Sequence, residues 1–277
     1  MSDPTFPAPP GGLPAQSERM DPRACLTTAY AVIPASTLTD IVTMALPRWA
    51  GTRVWVQARP LTGLAETFSQ YLVEVAPGGG SADPEEDAEV GAVLYVTHGT
   101  PTVTIDASDI ILQPGSYVYL RPGEAWRLSN EGADKALFYW IRKRWMPARG
   151  VSAPLSFVTH ENDATTIAMP GTSGRWATTR FVDPADVAHD FHVNIVTFQP
   201  GGTIPFPETH VMEHGLTVLS GKGAYRLNQD WVEVTAGDFL WLRAFCPQAC
   251  YAGGATPFRY LLYKDVNRHA AFGGPWR

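Results

Sequence analysis

The sequence predicts an all-β protein made of two tandem β-barrels, and three observations support that prediction. Most of the chain consists of short runs in which apolar and polar residues alternate, as in TRVWVQA (52–58) and FHVNIVTF (191–198). Such alternation, interrupted by turn residues, is typical of antiparallel barrels and sandwiches. Helical periodicity, the second point, is nearly absent, and only DPADVAHDF (183–191) is expected to form a turn or two of helix.

The third observation is an internal repeat. When the chain is shifted by 122 positions, turn glycines of the first half superpose on glycines of the second half, which suggests two copies of one fold. The superposed pairs are Gly80 with Gly202, Gly99 with Gly221, and Gly115 with Gly237. The expected organisation is an N-terminal arm over 1–29, a first barrel over 30–146, a linker over 147–156 and a second barrel over 157–277.

Composition excludes some classes of function. The 277-residue chain has a net charge of −6 and no basic stripe, so we expect no nucleic-acid partner. No apolar run is long enough for a membrane span, the N-terminus does not resemble a secretory signal, and three cysteines fit a reducing compartment; a cytoplasmic location is expected. On a strand Cys246 and Cys250 would lie about 13 Å apart, too far for a disulfide, so we predict two buried thiols.

The stretch PETHVMEHGLTVLSGKGAYRL (207–227) contains the strongest candidate site. Glu208, His210 and His214 have equal parity, and on a strand such residues project to one face, here the barrel interior. Two imidazoles and a carboxylate suit a divalent first-row metal, and the amide oxygen of Gln248 could add a fourth ligand. Alternatively, the histidines are ordinary hydrogen-bonded polar residues, which are common on strands.

The spacing of these residues resembles the signature of the cupin family. Gly202 is followed by five residues and then by ETH where cupins have HxH. His214 stands in the place of a glutamate, and six residues separate it from Gly221. The second cupin motif begins at Gly237 and has Gln248 in the place of its histidine ligand. The four ligand positions therefore carry Glu, His, His and Gln.

This altered set resembles that of the (S)-ureidoglycine aminohydrolases, a family of manganese-dependent bicupins of allantoin breakdown. The resemblance is closest over 201–269. It implies two tandem jelly-roll barrels, a homo-oligomer, and hydrolysis of (S)-ureidoglycine to (S)-ureidoglycolate and ammonia. It also implies one Mn²⁺ per chain, in the second barrel. The equivalent positions of the first barrel cannot hold a metal in this way, since they are Glu86, Ala88, Ala92 and Trp126.

The resemblance also suggests residues for substrate and catalysis. Tyr225 and Tyr260 match family positions and could contact the ureido group, although tyrosines in barrels usually serve packing. Lys264 is expected to bind the carboxylate or to transfer a proton, and the alternative is a salt bridge to Asp265 or Glu208. Glu208 is expected to act in catalysis and substrate binding as well as in metal binding.

Two other functions remain open at this point. One is a different metal-dependent cupin lyase or isomerase that acts on a small carboxylate. The other is a non-catalytic bicupin that binds a small ligand. No helix-turn-helix pattern supports a DNA-binding sensor, and a storage protein would not be expected to keep four ligand positions in one barrel.

Overall fold

The computed structural model describes residues 21–38, 46–60 and 64–265, and it is all-β, as predicted. Its one described helix is a single 3-10 turn, Ala35–Thr37. The strands of the first half are β1 (Cys25–Leu26), β2 (Tyr30–Ile33), β3 (Trp49–Ala58), β4 (Ser69–Ser81), β5 (Val90–His98), β6 (Thr102–Ile105), β7 (Ser108–Ile111), β8 (Ser116–Leu120), β9 (Trp126–Ser129) and β10 (Ala136–Arg144).

The second half repeats this pattern of short strands. Its strands are β11 (Phe157–His160), β12 (Thr165–Ala168), β13 (Trp176–Arg180), β14 (His192–Phe198), β15 (His214–Ser220), β16 (Lys222–Leu227), β17 (Asp230–Thr235), β18 (Phe239–Leu242), β19 (Gln248–Tyr251) and β20 (Phe258–Lys264).

All described strand pairs are antiparallel. In the first half a nine-stranded sheet runs in the order β11-β8-β5-β10-β4-β9-β6-β7, and β3 also pairs with β4. In the second half an eight-stranded sheet, β1-β2-β18-β15-β20-β14-β13-β12, is accompanied by a three-stranded sheet, β17-β16-β19. Strands β14, β20 and β15 of the large sheet and β16 and β19 of the small one carry or adjoin the candidate site.

Two short strands pair with the opposite half of the chain. Strand β2 falls in the range expected for the first barrel, yet it pairs with β18 of the second half. Strand β11 falls in the range expected for the second barrel, yet it pairs with β8 of the first half. The two halves therefore share edge strands, and residues 147–156 connect them without regular structure. The exact limits of the two barrels remain a prediction.

Buried side chains form three clusters. One lies within each half of the chain, and the third lies between the two halves because strands of both halves also have an apolar second face. One cluster, which includes Trp126 and Trp140, belongs to strands of the first half. Another, which includes Tyr225 and Tyr260, belongs to strands of the second half and β2. The third draws residues from both halves, among them Phe68, and packs the two sheets against each other.

The repeated glycines are required for two different reasons. Gly80, Gly99, Gly115, Gly221 and Gly237 have positive φ, between 74° and 142°, where a side chain is strained. The sixth, Gly202, does not, but a Cβ there would lie 2.6 Å from the carbonyl oxygen of Arg175. The repeat thus marks equivalent turns, with one position constrained by close approach.

The helical turn expected at 183–191 is wrong. This segment forms successive turns, in which Asp183 accepts a hydrogen bond from the Ala185 amide at 2.8 Å and Asp186 accepts one from the Ala188 amide at 2.9 Å. Aspartate side chains compete in this way with helical hydrogen bonds.

The predictions for the cysteines are confirmed. Cys246 and Cys250 are buried free thiols, and Cys25 is also free. Burial raises the pKa of Cys250 well above its usual value. Across the described ranges, no helix has both the length and the hydropathy that a bilayer span requires.

Candidate functional site

The four predicted metal ligands line one cavity of about 250 Å³ in the second half. His214 begins β15 and Gln248 begins β19. The expectation that Glu208, His210 and His214 share one strand is wrong, because Glu208 and His210 precede β15 in a segment of turns and isolated bridges. Pro205 and Pro207 lack the backbone donors that a continuous ladder needs.

Glu208 is placed by an isolated bridge to Gln248. The amide of each residue donates to the carbonyl oxygen of the other, both at 2.9 Å. Residues that face each other in an antiparallel pair project their side chains to the same side. Two ligand candidates that are 40 positions apart are thus brought together by two backbone hydrogen bonds.

The ring of His214 has its orientation and tautomer determined by the backbone. Its Nδ1 donates to the carbonyl oxygen of Met212 at 2.9 Å, so Nε2 carries the lone pair in the neutral ring. A histidine that ligates a metal commonly donates its other nitrogen in this way. Burial, followed by the neighbouring His210, lowers the pKa of His214 to about 3, so the ring is neutral near pH 7.

His210 lies between the other two candidates. Its Nε2 is 3.3 Å from Oε1 of Glu208, and its ring stacks on that of His214 with centroids 4.9 Å apart. In this arrangement no three His, Cys, Asp or Glu side chains of the described residues are placed to hold a metal ion. The donor types and the tautomer of His214 fit a divalent metal, whereas a closed ligand cage is not formed.

The two predicted tyrosines line the same cavity. Tyr225 donates to Oε1 of Gln248 at 2.9 Å, and its hydroxyl lies 3.5 Å from that of Tyr260. Both rings are fully buried, and burial raises the pKa of both phenols well above the usual value. The amide oxygen of Gln248 retains a second lone pair that is free to bind another group.

Lys264 is the last residue of β20 and lines the cavity. In register it is flanked by His192 of β14 and His214 of β15. Neither ion pair considered for it, with Asp265 or Glu208, is present, and it has no ion pair with any described residue. Burial, and then the nearby charge of Arg180, lower the pKa of Lys264.

Two further cavity residues were missed by the sequence analysis. Arg180 ends β13 and Asn194 lies on β14, and the two are register partners. The signal was present, because Asn194 interrupts the apolar run FHVNIVTF at the parity of Val196 and Phe198, the residues that face the interior. A polar residue at an inward position of a strand is unusual unless it is paired or used.

Residues of the first half of the chain support the site by donating hydrogen bonds to Glu213 of the second half. This buried carboxylate accepts hydrogen bonds from the backbone amides of Glu66 and Thr67, the hydroxyl of Thr67 and the indole of Trp241, at 2.6–2.9 Å. The amide of Glu213 donates to Asp265. The carboxylate of Glu213 therefore faces away from the cavity and anchors the segment between His210 and His214.

At the equivalent place in the first half, aromatic rings occupy the space. Trp126 stands where the second half has Gln248, and its ring packs against Trp49 and Trp140 at centroid distances of 6.4 and 5.9 Å. Ala92 is buried without polar atoms, and Glu86 is exposed and paired with Arg48. These described positions of the first half bring no pair of metal ligands together.

A larger cavity elsewhere in the molecule is a weaker candidate for a site, because its charged lining residues are already paired. This cavity of about 570 Å³ is lined by three consecutive cations, each of which is already paired with an acid. These pairs are Arg142 with Glu85, Lys143 with Asp190, and Arg144 with Asp87. The small cavity of the second half is different because its cations, Arg180 and Lys264, have no described acidic partner.

Comparisons with known proteins agree with the repeat. Residues 71–142 and residues 194–263 each match the family model of the cupin domain, so the two matches lie about one repeat apart. The chain therefore contains two cupin domains, and the strands that carry the cavity belong to the second match.

Relatives cover most of the chain. An (S)-ureidoglycine aminohydrolase of Arabidopsis thaliana is 33% identical over 225 residues, which are 81% of this chain and 72% of the relative. One from Escherichia coli K12 is 30% identical, covering 74% of this chain and 78% of its own. The crystal structure of a Pseudomonas aeruginosa protein described as glyoxylate induced is 56% identical, with a TM-score of 0.88, and the match covers 97% of this chain and 98% of that one.

Proposed function

Because the chain belongs to the (S)-ureidoglycine aminohydrolase family of two-barrel cupins, we propose that it hydrolyses (S)-ureidoglycine to (S)-ureidoglycolate and ammonia. Membership of this family supports a hydrolase activity. The chemistry of the cavity in the second half supports (S)-ureidoglycine as the substrate. Its lining combines a carboxylate, two imidazoles, two amides and two cations that have no acidic partner among the described residues. This combination in one small cavity is the observation on which the proposal rests.

We further propose one Mn²⁺ per chain, held by Glu208, His210, His214 and Gln248. The support is chemical: His214 presents its bare Nε2, Gln248 has a free lone pair, and Glu208 supplies negative charge. Oxygen and imidazole donors suit manganese. When bound, such an ion would act as a Lewis acid and orient the substrate's carboxylate and neighbouring heteroatom.

The reaction replaces an amine by a hydroxyl at one carbon. The C–N bond to the amine breaks, the departing nitrogen takes up a proton, and a water molecule forms the new C–O bond and gives up a proton. Lys264 is the proposed source of the proton for the amine, since it is a half-buried cation in the cavity that has no acidic partner in the described part of the chain. Glu208 is the proposed acceptor, because no other acidic side chain lines this cavity within the described residues.

In this proposal Tyr225 and Tyr260 orient neighbouring groups through hydrogen bonds and do not ionise. Their phenols stay protonated near neutral pH because burial raises their pKa values. A protonated phenol donates one hydrogen bond, and Tyr225 uses it to hold the oxygen of Gln248. The hydroxyl of Tyr260 can then donate to that of Tyr225, 3.5 Å away, which leaves its lone pairs to accept a hydrogen bond from a substrate N–H group.

The test is an assay for ammonia release with freshly generated (S)-ureidoglycine, in which the ureidoglycolate formed is resolved by chirality. The expected result is stoichiometric ammonia and the (S) product. Spontaneous decay gives a racemic product, so a racemate formed at the uncatalysed rate would reject the activity. A matched control is the Glu208→Gln variant, which should fall to that background.

A further inference from the structure

We infer that Arg180 and Asn194 form a subsite that binds the two ends of a ureido acid. Arg180 binds the carboxylate, and Asn194 forms hydrogen bonds with the ureido group. The inference rests on the proposed function for the identity of the substrate. It assigns a role to two residues that lie outside the metal-binding and family-matched positions. It also makes them the determinants of specificity within the cavity.

The first support is the unsatisfied amide of Asn194. This side chain is only 4% exposed and lines the cavity, yet its Oδ1 has no hydrogen-bond partner in the described structure. A buried polar atom without a partner destabilises the ligand-free protein, because its lost hydration is not replaced by a hydrogen bond. A ligand with complementary hydrogen-bonding groups would remove that cost when it binds.

The second support is the charge of Arg180. Its guanidinium lines the same cavity and forms no ion pair with a described residue. Among the described residues that line the cavity the one carboxylate, Glu208, is in contact with His210 instead. With Lys264 the cavity therefore has two cations and one acid, and the surplus positive charge favours an anionic ligand. A guanidinium also matches the geometry of a carboxylate through two parallel hydrogen bonds.

The third support is the register of the sheet. Arg180, Asn194 and Leu262 face one another across β13, β14 and β20. Lys264 lies two residues beyond Leu262, so it projects to the same face on the next rung, beside His214. Asn194 and Lys264 are therefore diagonal neighbours on one face, and such neighbours are about 7–8 Å apart. A small ureido acid can bridge that separation.

The ligand class follows from these three points. A primary carboxamide offers one acceptor and two donors side by side, and a urea offers the complementary N–H and C=O groups. The pairing works for either orientation of the amide of Asn194, so it does not depend on which atom is oxygen. A carboxylate attached through one carbon to the urea would then lie toward Arg180.

The test uses three small ligands that are not turned over, measured by calorimetry on the full chain in buffer with Mn²⁺. N-carbamoylglycine has both the carboxylate and the ureido group. N-acetylglycine keeps the carboxylate but has a methyl in place of the terminal amine. N-methylurea keeps the ureido group but has no carboxylate.

Each variant has its own expected pattern of binding. Wild type should bind N-carbamoylglycine more tightly than N-acetylglycine, and Asn194→Leu should remove that preference, about a tenfold loss for N-carbamoylglycine alone. Arg180→Gln should weaken both acids by about 10- to 100-fold and leave N-methylurea unchanged. Arg180→Lys should recover part of the loss. The control Arg175→Gln changes an exposed arginine outside the cavity and should bind like wild type.

Several outcomes would overturn the inference: a wild type that binds neither acid, an Asn194→Leu variant that keeps the preference, or an Arg180→Gln variant that binds both acids normally. Retained melting temperature shows that a variant is folded, and Asn194→Ser replaces Asn194→Leu if the latter unfolds. Failure of the proposed function is separable. If the ligands bind in the expected pattern but (S)-ureidoglycine is not hydrolysed, the subsite stands and the proposed reaction is rejected.

Discussion

Gln248 connects two parts of the site, because its backbone pairs with Glu208 while its side-chain oxygen accepts the hydroxyl of Tyr225 at 2.9 Å. All three residues line the same cavity, and both Gln248 and Tyr225 are buried. The geometry of the amide oxygen is therefore set from two sides before any ligand binds.

The coupling between Gln248 and Tyr225 can be measured by a double-mutant cycle. Tyr225→Phe removes one hydrogen bond and should cost about 0.5–1.5 kcal/mol in free energy of unfolding. Gln248→Leu leaves the buried hydroxyl without an acceptor and should cost about 1–3 kcal/mol. The double variant should cost less than the sum of the two, as measured by urea unfolding. Additive costs would show that the hydrogen bond contributes nothing to stability.

The proposed metal ligands predict a specific pattern of metal content. His210→Ala and His214→Ala should each lower bound Mn²⁺ well below one per chain, because each removes an imidazole donor from the set. Elemental analysis of dialysed protein measures this directly. His160→Ala is the control, since His160 is a half-buried residue of β11 that lies outside the cavity. Full occupancy in both cavity variants would contradict the assignment.

Lys264→Met is expected to fold, to keep its metal and to lose turnover. If Lys264 supplies the proton for the departing amine, kcat should fall by about 10²- to 10⁴-fold with little change in KM. Lys222→Met serves as control, because Lys222 is exposed on β16. A raised KM with kcat unchanged would instead indicate that Lys264 binds the carboxylate in ground state and transition state alike. Normal values of both constants would remove Lys264 from the site.

Glu213 allows the contribution of the first barrel to be tested. Glu213→Gln places an amide NH₂ where the carboxylate now accepts two hydrogen bonds on each oxygen, so two donors would face each other. We expect a loss of about 1–3 kcal/mol in free energy of unfolding and weaker binding of Mn²⁺. Glu233→Gln, at an exposed position of β17, is the matched control. Unchanged metal affinity in folded Glu213→Gln would show that this anchor does not position the ligands.

The sequence predicts the two-barrel fold well because the period of two along each strand and the repeated turn glycines are local signals. It also identifies the residues that meet in the cavity, through spacing and family resemblance. The predicted reason for their meeting was wrong in one respect. Glu208 and His210 do not share a strand with His214, since Pro205 and Pro207 interrupt the ladder and a bridge to Gln248 places Glu208 instead.

Other features depend on contacts between distant parts of the chain, and no local pattern encodes them. The carboxylate of Glu213 accepts its hydrogen bonds from residues 66, 67 and 241, and the pairing of β2 with β18 joins segments about 200 positions apart. Arg180 comes next to Asn194 only because β13 pairs with β14 in that register. These contacts can be identified only once the pairing of the strands is known. Asn194, in contrast, could have been identified from the sequence, because it is a polar residue at an inward-facing position of a strand.

Manganese dependence with one site per chain can be measured by titrating metal-free protein with Mn²⁺ while ammonia release from fresh (S)-ureidoglycine and bound metal are followed on the same samples. We expect turnover to rise in proportion to bound metal and to stop rising at one ion per chain, as a manganese-dependent hydrolase with a single site requires. Full turnover of the metal-free protein, or a proportional rise that continues to two ions per chain, would contradict it.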